Sequence, residues 1–382
     1  MSFFRVINII CISFFLSFTH ADEHDRDKRQ LADPLFNVTV PEAEIVGQFH
    51  GDPFNADLRL YMAGNQFVVM DLLVEEFKKQ NTDIKNIFYV TIPPGKELQW
   101  ILKGGIEINA ENSLAKNGFQ LRVLPDVFTS VNKGHMDTLA AAGFIEEYVT
   151  YAHNRLVLMV KSDDPLANTT LDPVSFFNLM TASDTTISEP DIITQGIERH
   201  IWQMYTDTSK LLFPNDTVVQ SLNGKMFDPN QLINDPANSM RRIVYHDKEL
   251  TGTTLLTSIH HLETPFNIRA GNTRLGPVWV TEVEYQKNRL GETDLAFVEI
   301  GGVGNDGKFL DRREKVNYVA AKVKARGDGL PNNKEAAKKW VEFLLSETAQ
   351  KILEGVGFIR ATPSELTSVF EYPSKDHDEH HD

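Results

Sequence analysis

Two consecutive strand-turn-helix units, near the start of the region with regular apolar periodicity, restrict this chain to one class of fold. In the first unit, apolar and polar residues alternate over 58–62 as in a strand, a turn follows at 63–66, and the apolar period becomes helical over 67–79. In the second, the apolar strand 87–90 is followed by a proline-glycine turn and a helix over 93–102. Strands that alternate with helices form parallel sheets, so the pattern predicts an α/β fold. In such folds ligands bind at the carboxyl ends of strands and at helix N-termini.

The rest of the chain continues this alternation up to a long amphipathic helix near its C-terminal end. An apolar stripe from Ala337 to Leu353, closed by Gly355, predicts one helix that packs on a large apolar surface. The unbroken apolar run that ends segment 151–160 is typical of a strand buried on both faces. We predict further strands at 126–130, 277–280, 295–298 and 317–322, and further helices around Met136, at 196–205 and at 253–262.

The composition is that of a globular chain with an acidic surface. Its 382 residues, 41% of them hydrophobic, suffice for roughly two domains with a real core. The chain carries 38 Lys and Arg against 53 Asp and Glu, a formal net charge of -15. An acidic surface repels nucleic acids and anionic membranes, so the charge argues against both as main partners. A local basic pocket is compatible with this charge.

The first 21 residues have the pattern of a secretory signal peptide. Arg5 gives a positive start, residues 6–18 are an apolar run, and the small residues Thr19 and Ala21 occupy the positions that a signal peptidase reads. The alternative is a membrane anchor, but the run is shorter than the roughly 20 residues of a spanning helix. Cleavage after Ala21 would remove Cys11, the single cysteine, and leave 37 basic against 53 acidic residues, a charge of -16. The sequence therefore predicts an exported protein that folds without disulfides.

Four groups of residues carry a family resemblance. They are Asp126-Val127-Phe128 with Met136-Asp137; Asn154-Arg155-Leu156-Val157-Leu158; Gly276-Pro277-Val278-Trp279-Val280-Thr281-Glu282; and Trp340-Val341-Glu342-Phe343-Leu344-Leu345-Ser346 with Ala349-Gln350-Lys351-Ile352-Leu353 and Gly357-Phe358. In this order, and over most of residues 57–360, the chain resembles bacterial periplasmic solute-binding proteins of type II. Within them it is most similar to the molybdate- and tungstate-binding proteins of ABC transporters.

The resemblance implies an α/β, two-lobed, periplasmic-binding-protein-like (type II) clamshell, in which each lobe is a mostly parallel sheet flanked by helices. We expect lobe one to contain residues 57–150 plus 275–365, and lobe two residues 151–274. Segment 22–56 is expected to be irregular, and 366–382 to be an acidic, His-containing tail. The family also implies a periplasmic, non-enzymatic protein that captures a small polar or anionic solute in an interlobe cleft. It would deliver that solute to an ABC transporter membrane permease and act as a monomer.

The resemblance also implies four ligand-binding segments. They contribute, in chain order, Asn65 and Gln66; Gly95 and Lys96; Thr194 and Gln195; and Trp279. The family has hydroxyl-bearing residues in the first two segments, where this chain has none of the family's serines. Lys96 adds a positive charge and Trp279 has only an N–H to donate. A larger organic anion, or a polar neutral solute stacked on Trp279, therefore fits about as well as molybdate or tungstate.

Three of these residues have a structural explanation as well. Asn65 suits a tight turn, because asparagine tolerates turn conformations. Lys96 suits the solvated first turn of a helix, and Trp279 suits core packing. The sequence leaves both explanations open.

The histidines indicate an alternative function, that of an exported metal-handling protein or enzyme on the same scaffold. His260-His261-x-Glu263 does not have the His-Glu-x-x-His spacing of a catalytic zinc site, and the tail 376–382 is a tract that could gather metal only loosely. The chain has no Gly-x-Ser-x-Gly elbow, Walker motif or dinucleotide fingerprint before a helix. We therefore expect no catalytic residues, no cofactor and no metal.

Overall fold

The computed structural model describes residues 48–108, 119–182, 184–190, 197, 200–201, 204–205, 208, 211–212, 227–234, 241–245, 254–257, 263–301, 316–324 and 332–373. The strands of this part are β1 (Phe49–His50), β2 (Leu58–Ala63), β3 (Ile87–Ile92), β4 (Ile106–Ile108), β5 (Phe119–Leu121), β6 (Val127–Ser130), β7 (Glu147–Asn154), β8 (Leu156–Lys161), β9 (Thr170–Leu171), β10 (Ile187–Pro190), β11 (Phe227–Asn234), β12 (Arg241–Tyr245), β13 (Thr254–Thr257), β14 (Leu275–Trp279), β15 (Leu295–Ile300), β16 (Val316–Lys322), β17 (Ile359–Arg360) and β18 (Val369–Glu371). Its helices are the 3-10 helix η1 (Gly64–Val68) and the α-helices α1 (Met70–Gln80), α2 (Pro94–Lys103), α3 (Lys133–Ala141), α4 (Pro173–Thr181), α5 (Glu263–Arg269), α6 (Val280–Asn288), α7 (Lys334–Leu345), α8 (Glu347–Gly355) and α9 (Pro363–Leu366).

The first sheet contains both predicted strand-turn-helix units. Its order is β1-β3-β2-β6-β16-β7-β17, with β18 also beside β7. The strands β3, β2 and β6 are parallel, whereas β16, β7, β17, β18 and β1 pair antiparallel with their neighbours. We predicted a mostly parallel sheet, and this is wrong outside β3, β2 and β6. The reason is that strand–helix alternation covers only these three strands, while β16, β17 and β18 come from later parts of the chain.

The second sheet has the order β13-β10-β14-β8-β15-β9. Neighbours β13, β10 and β14 are parallel, as are β15 and β9, and only β8 runs against both of its neighbours. Helices accompany both sheets. This mixed α/β architecture with two sheets confirms the predicted fold class.

Segment 151–160, whose apolar end we predicted as a strand buried on both faces, passes from the first sheet into the second. It is divided at Arg155 into β7 and β8, which belong to different sheets. The Arg155 guanidinium donates to the Glu299 carboxylate of β15 from Nε at 3.2 Å and from Nη2 at 2.8 Å. This bidentate ion pair links Arg155, where the chain passes between the sheets, to β15 of the second sheet.

Residues 275–300 lie in the second sheet, whereas we expected them in the first. Strands β14 and β15 pair with the two edges of β8 over Leu275–Trp279 and Leu295–Glu299. Because β8 is buried, both of its edges need hydrogen-bonding neighbours, and these two apolar strands provide them. The described chain next joins the first sheet at β16, which pairs with β6 and β7.

The predicted helix at 253–262 is wrong where the structure describes it. Thr254–Thr257 form β13, which pairs in parallel with β10 from Ile187 to Pro190. The two β-branched threonines favour a strand, and pairing along β10 satisfies the backbone of both segments. Residues 251–253 and 258–262 lie outside the described part of the chain.

The C-terminal amphipathic segment forms two helices, α7 and α8, where we predicted one. Ser346 between them has an extended backbone, with φ -72° and ψ 154°. Its Oγ accepts the amide N–H of Ala349 at 3.3 Å, so Ser346 is the N-cap of α8. The apolar stripe nevertheless remains in the core. Trp340 and Phe343 of α7 pack edge-on or tilted against Phe77 of α1 and against each other.

The segments at both ends are more ordered than we predicted, as far as they are described. Phe49–His50 form β1 beside β3, and Val369–Glu371 form β18 beside β7. In the segment 104–125, strands β4 and β5 pair as an antiparallel hairpin. The signal-peptide prediction for residues 1–21 and the acidic stretch 374–382 fall outside the described residues. Among the helices that the structure describes, none has the length and apolar character needed to span a membrane.

Candidate functional site

The loop after β2 holds the first two predicted site residues in the helix η1. The amide N–H of Ala63 donates to Oγ1 of Thr129 at 2.8 Å, and the Thr129 hydroxyl donates to Oε1 of Gln66 at 2.8 Å. The Gln66 amide then donates from Nε2 to the hydroxyl of Tyr151 on β7. Gln66 is fully buried, so this chain of hydrogen bonds satisfies its amide without water.

Asn65 belongs to a second chain of hydrogen bonds that links the two sheets. Its Nδ2 donates to the hydroxyl of Tyr318 on β16. Asn154, the last residue of β7, donates from Nδ2 to the same hydroxyl at 3.3 Å and to Oγ1 of Thr281 at 3.1 Å. Thr281 lies in α6, which follows β14 of the second sheet. The hydrogen bonds of these polar side chains therefore connect the first sheet to α6, the helix that follows β14 of the second sheet.

The two tyrosines stand next to each other at the centre of this cluster. The rings of Tyr151 and Tyr318 meet edge to face with centroids 6.2 Å apart. Burial raises the pKa of both hydroxyls above the ordinary value, so both remain protonated at neutral pH. The cluster thus offers uncharged hydroxyl and amide groups.

Glu97 adds a buried carboxyl group at the carboxyl ends of β2 and β3. It lies on α2, and its Oε1 accepts the amide N–H of Ile92 at 3.5 Å. Burial raises the pKa of Glu97 well above its ordinary value, while the amides of Ile92 and Met62 act in the opposite direction. Because the folded-state pKa is raised, stability falls as the pH rises through that pKa.

Gly95 and Lys96 lie on the solvent side of the same helix. Both are exposed, and the Nζ atom of Lys96 lies 6.0 Å from the ring centroid of Trp100. A Cβ atom on Gly95 would lie 3.9 Å from Cε1 of His135, at the start of the neighbouring helix α3. His135 in turn contacts Oγ of Ser130 through Nδ1 at 2.9 Å.

The second sheet contributes polar side chains at the end of β10. Tyr205 donates its hydroxyl hydrogen to Oε2 of Glu189 at 3.0 Å, and Asn267 donates from Nδ2 to Oγ of Ser188 at 3.2 Å. Ser188 and Glu189 are both fully buried. The predicted residues Thr194 and Gln195, which follow this strand, lie outside the described residues.

Trp279, the last predicted site residue, ends β14 and is almost fully buried. Only 2% of it is exposed, and its ring meets that of His200 at 5.4 Å with an interplanar angle of 63°. Glu282 in the first turn of α6 is also buried. Burial raises the pKa of Glu282 well above its ordinary value, and the amide of Trp279 acts in the opposite direction. Trp279 and the first turn of α6 therefore lie on the second sheet's side of the polar cluster.

A family profile described as bacterial extracellular solute-binding protein matches residues 58–359. The chain belongs to this family. Proteins of the family bind small solutes for transport and are not a family of enzymes. The match confirms the predicted membership in the periplasmic solute-binding proteins. No curated protein matches the sequence of this solute-binding protein.

Solved structures similar to the solute-binding protein cover most of its chain at low identity. The substrate-binding protein of an ABC transporter from Agrobacterium tumefaciens has a TM-score of 0.54 and 13% identity, covering 83% of this chain and 84% of that one. The periplasmic molybdate-binding protein of Azotobacter vinelandii has a TM-score of 0.49 and 12% identity, covering 80% and 100%. Iron-bound HitA from Pseudomonas aeruginosa has a TM-score of 0.49 and 14% identity, covering 81% and 91%. At 13% identity, the Agrobacterium tumefaciens structure supports the fold of this chain.

The structure of the solute-binding protein brings Asn65 and Gln66 into one cluster, exposes Gly95 and Lys96 on α2, and buries Trp279 at the end of β14. Sequence reasoning missed the partners of these amides, Tyr151, Tyr318 and Asn154. A usable signal was present, because each carries a polar group in a strand whose residues are mostly buried. Such a group needs a buried partner, and a loop amide at a strand end can supply one.

A metal site is not found in the described part of the solute-binding protein. Among these residues no three or more His, Cys, Asp or Glu side chains are grouped so that they could hold a metal ion. The pair His260-His261 and the histidines of the C-terminal tail, on which the alternative function rested, lie outside the described residues.

Proposed function

We propose that this protein captures a small polar solute in the cleft between its two lobes and delivers it to an ABC transporter permease. The observation that carries the proposal is the buried polar cluster at the carboxyl ends of β2 and β3. Here Asn154 connects Tyr318 on the first sheet with Thr281 on α6. Amides and neutral hydroxyls at strand ends are the groups that recognise polar solutes in α/β folds.

The lobe boundaries follow from sheet membership in this proposal. Lobe one comprises the first sheet with η1, α1, α2, α3 and the C-terminal helices, and lobe two the second sheet with α4 and α5. The chain crosses between them at Arg155 and between β15 and β16. Hinge residues at such crossings let two lobes close over a ligand, exclude water and strengthen the hydrogen bonds inside. We further propose a periplasmic location and a monomeric state.

The helix α6 has contacts that suit a closing element. Its Tyr285 meets Phe67 of η1 edge to face at 5.3 Å, and Arg289 at its end is paired with Asp71 of α1. These are contacts between a helix that follows the second sheet and elements that follow β2. Closure would thus bring α6 and η1, with Asn65 and Gln66, to opposite sides of the solute.

Replacing Asn65 by alanine should weaken solute binding by about tenfold or more, because one hydrogen bond to a buried ligand contributes about 1.4 kcal/mol or more. The measurement is a thermal-shift screen of the mature protein with molybdate, tungstate, sulfate, phosphate, organic acids, amines and sugars, followed by calorimetry on the solutes that stabilise it. Trp279→Ala is less suitable, because removing this buried ring also costs stability.

The matched control is Asn81→Ala. The Asn81 side-chain amide also donates one hydrogen bond, to the carbonyl of Phe77 at 3.0 Å, but it lies at the far end of α1. The control should leave the affinity unchanged. If Asn65→Ala binds the stabilising solute as tightly as Asn81→Ala does, Asn65 is not at the ligand. If only zinc or copper stabilises the protein, the proposed function is wrong.

A further inference from the structure

The carboxyl group of Glu97 has an oxygen that the described residues leave unsatisfied. The side chain is 0% exposed. Its Oε1 accepts a long hydrogen bond of 3.5 Å from the amide of Ile92, and its Oε2 has no hydrogen-bond partner among the residues that the structure describes. An ionised carboxylate in such a place is costly unless a donor or a positive charge compensates it. A ligand that donates a cationic N–H group to Oε2 would supply both the hydrogen-bond donor and the positive charge.

Two further carboxyl groups are buried at the carboxyl ends of strands in the second sheet. Glu189 is fully buried in β10, and Glu282 is 2% exposed in the first turn after β14. Glu97 lies on α2, which follows β3 of the first sheet, and Glu282 lies on α6, which follows β14 of the second. Both sheets thus contribute buried carboxyl groups next to their strand ends.

Buried positive charge lies elsewhere in the described part of the molecule. There Arg59 is the one Lys or Arg residue that is buried, and it is the second residue of β2, away from that strand's carboxyl end. Its guanidinium is held by the carbonyl of Pro53 at 2.8 Å and lies 3.9 Å from Asp126. Lys96, the predicted anion ligand, is exposed. An oxyanion at the strand ends would therefore meet buried carboxyl groups and no buried cation of the described chain.

We propose that the solute bound in the cleft carries a protonated amine or another cationic N–H group, which donates to the Glu97 carboxylate. The inference rests on the proposed function and specifies the chemical class of its ligand as a small organic cation. The positive charge offsets the buried Glu97 carboxylate, and Asn65, which the proposed function places at the ligand, binds the polar remainder of the solute. A charge-assisted hydrogen bond of this kind is stronger than one between neutral groups.

The test compares two sets of small probes by calorimetry on the mature protein. The cationic set is putrescine, ethanolamine and arginine, and the anionic set is succinate, sulfate and molybdate. We expect at least one cation to bind, and Glu97→Gln to weaken that binding by at least about tenfold, because a buried charged pair loses one partner. Lys96→Ala, on the same helix turn, is the matched control and should leave the affinity for the cation unchanged.

Several results would overturn the inference. One is binding of the anionic set alone, with loss of that binding in Lys96→Ala, which would leave the proposed function standing with an anionic ligand. Others are the absence of binding by any of the three cations, and equal affinity of the unmodified protein and Glu97→Gln. The comparison of the two probe sets on the unmodified protein does not depend on whether a variant folds. Circular dichroism of Glu97→Gln checks its fold.

Discussion

Trp340→Ala should lower the free energy of unfolding by about 3–5 kcal/mol, the usual cost of removing a fully buried aromatic side chain. Trp340 is 0% exposed on α7, and its ring meets that of Phe77 at 5.0 Å and that of Phe343 at 5.7 Å. Alanine leaves a cavity between α7 and α1 that the surrounding rings cannot fill. Guanidinium unfolding followed by circular dichroism measures the loss.

Two control variants separate packing from hydrogen bonding and from helix propensity. The indole Nε1 of Trp340 donates no hydrogen bond to any described residue, so Trp340→Phe removes volume but no such bond. It should cost only about 1–2 kcal/mol. Lys338 is 57% exposed on the same helix, and Lys338→Ala should change stability by less than about 0.5 kcal/mol. Equal stability of Trp340→Ala and Lys338→Ala would mean that α7 does not pack in the core as described.

Asp126→Ala should cost a similar amount, about 3–5 kcal/mol, because it removes a buried carboxylate that accepts two backbone amides and lies beside the Arg59 guanidinium. The Asp126 carboxylate accepts the amide N–H of Arg59 at 2.8 Å and that of Asn333 at 3.1 Å, and lies 3.9 Å from the Arg59 guanidinium. The side chains of Asp126 and Arg59 are each 2% exposed. Asn333 caps α7 through the amide of Ala336, so the carboxylate holds β2, the start of β6 and α7 together.

An exposed ion pair provides the comparison for Asp126. Lys339 on α7 lies 2.9 Å from Asp83, with side chains 30% and 67% exposed. Lys339→Ala should cost less than about 1 kcal/mol, because solvent screens such pairs. Urea unfolding of both variants gives the two values directly. If Asp126→Ala is no more destabilising than Lys339→Ala, the buried network around Asp126 is not as described.

The class of fold was predictable because its evidence is local. Strand 58–62 and the turn after it, and the strand and helix from 87 to 102, each carry their own periodicity, and the structure keeps them nearly unchanged. Sheet membership depends on pairing between distant segments. Segment 151–160 gives no local sign that it changes sheets at Arg155, and nothing in Leu275–Trp279 indicates that its partner is β8. The helix predicted over Thr254–Thr257 failed for the same reason, since pairing with β10 overrides a weak local preference.

The break between α7 and α8 was a local feature that could have been predicted. Ser346 precedes Glu347 within the apolar stripe, and a serine at that place is a usual N-cap. The candidate site was predictable only in part. Asn65 and Gln66 stand in a loop at a strand end, as sequence reasoning expects of binding residues. Tyr318, the hydrogen-bond partner of Asn65, is 253 positions away in the sequence, so the cluster becomes visible only in the folded chain.

Native mass spectrometry of the protein, purified without unfolding from the cells that produce it, tests the central claim most directly. If the chain captures a small polar solute between its lobes, a fraction of the protein should carry one non-covalent adduct of constant small-molecule mass. That adduct should disappear on unfolding and be strongly reduced in Asn65→Ala, while Asn81→Ala retains it. An adduct of equal abundance in both variants, or a protein that carries no adduct and gains none from any screened solute, would contradict the account.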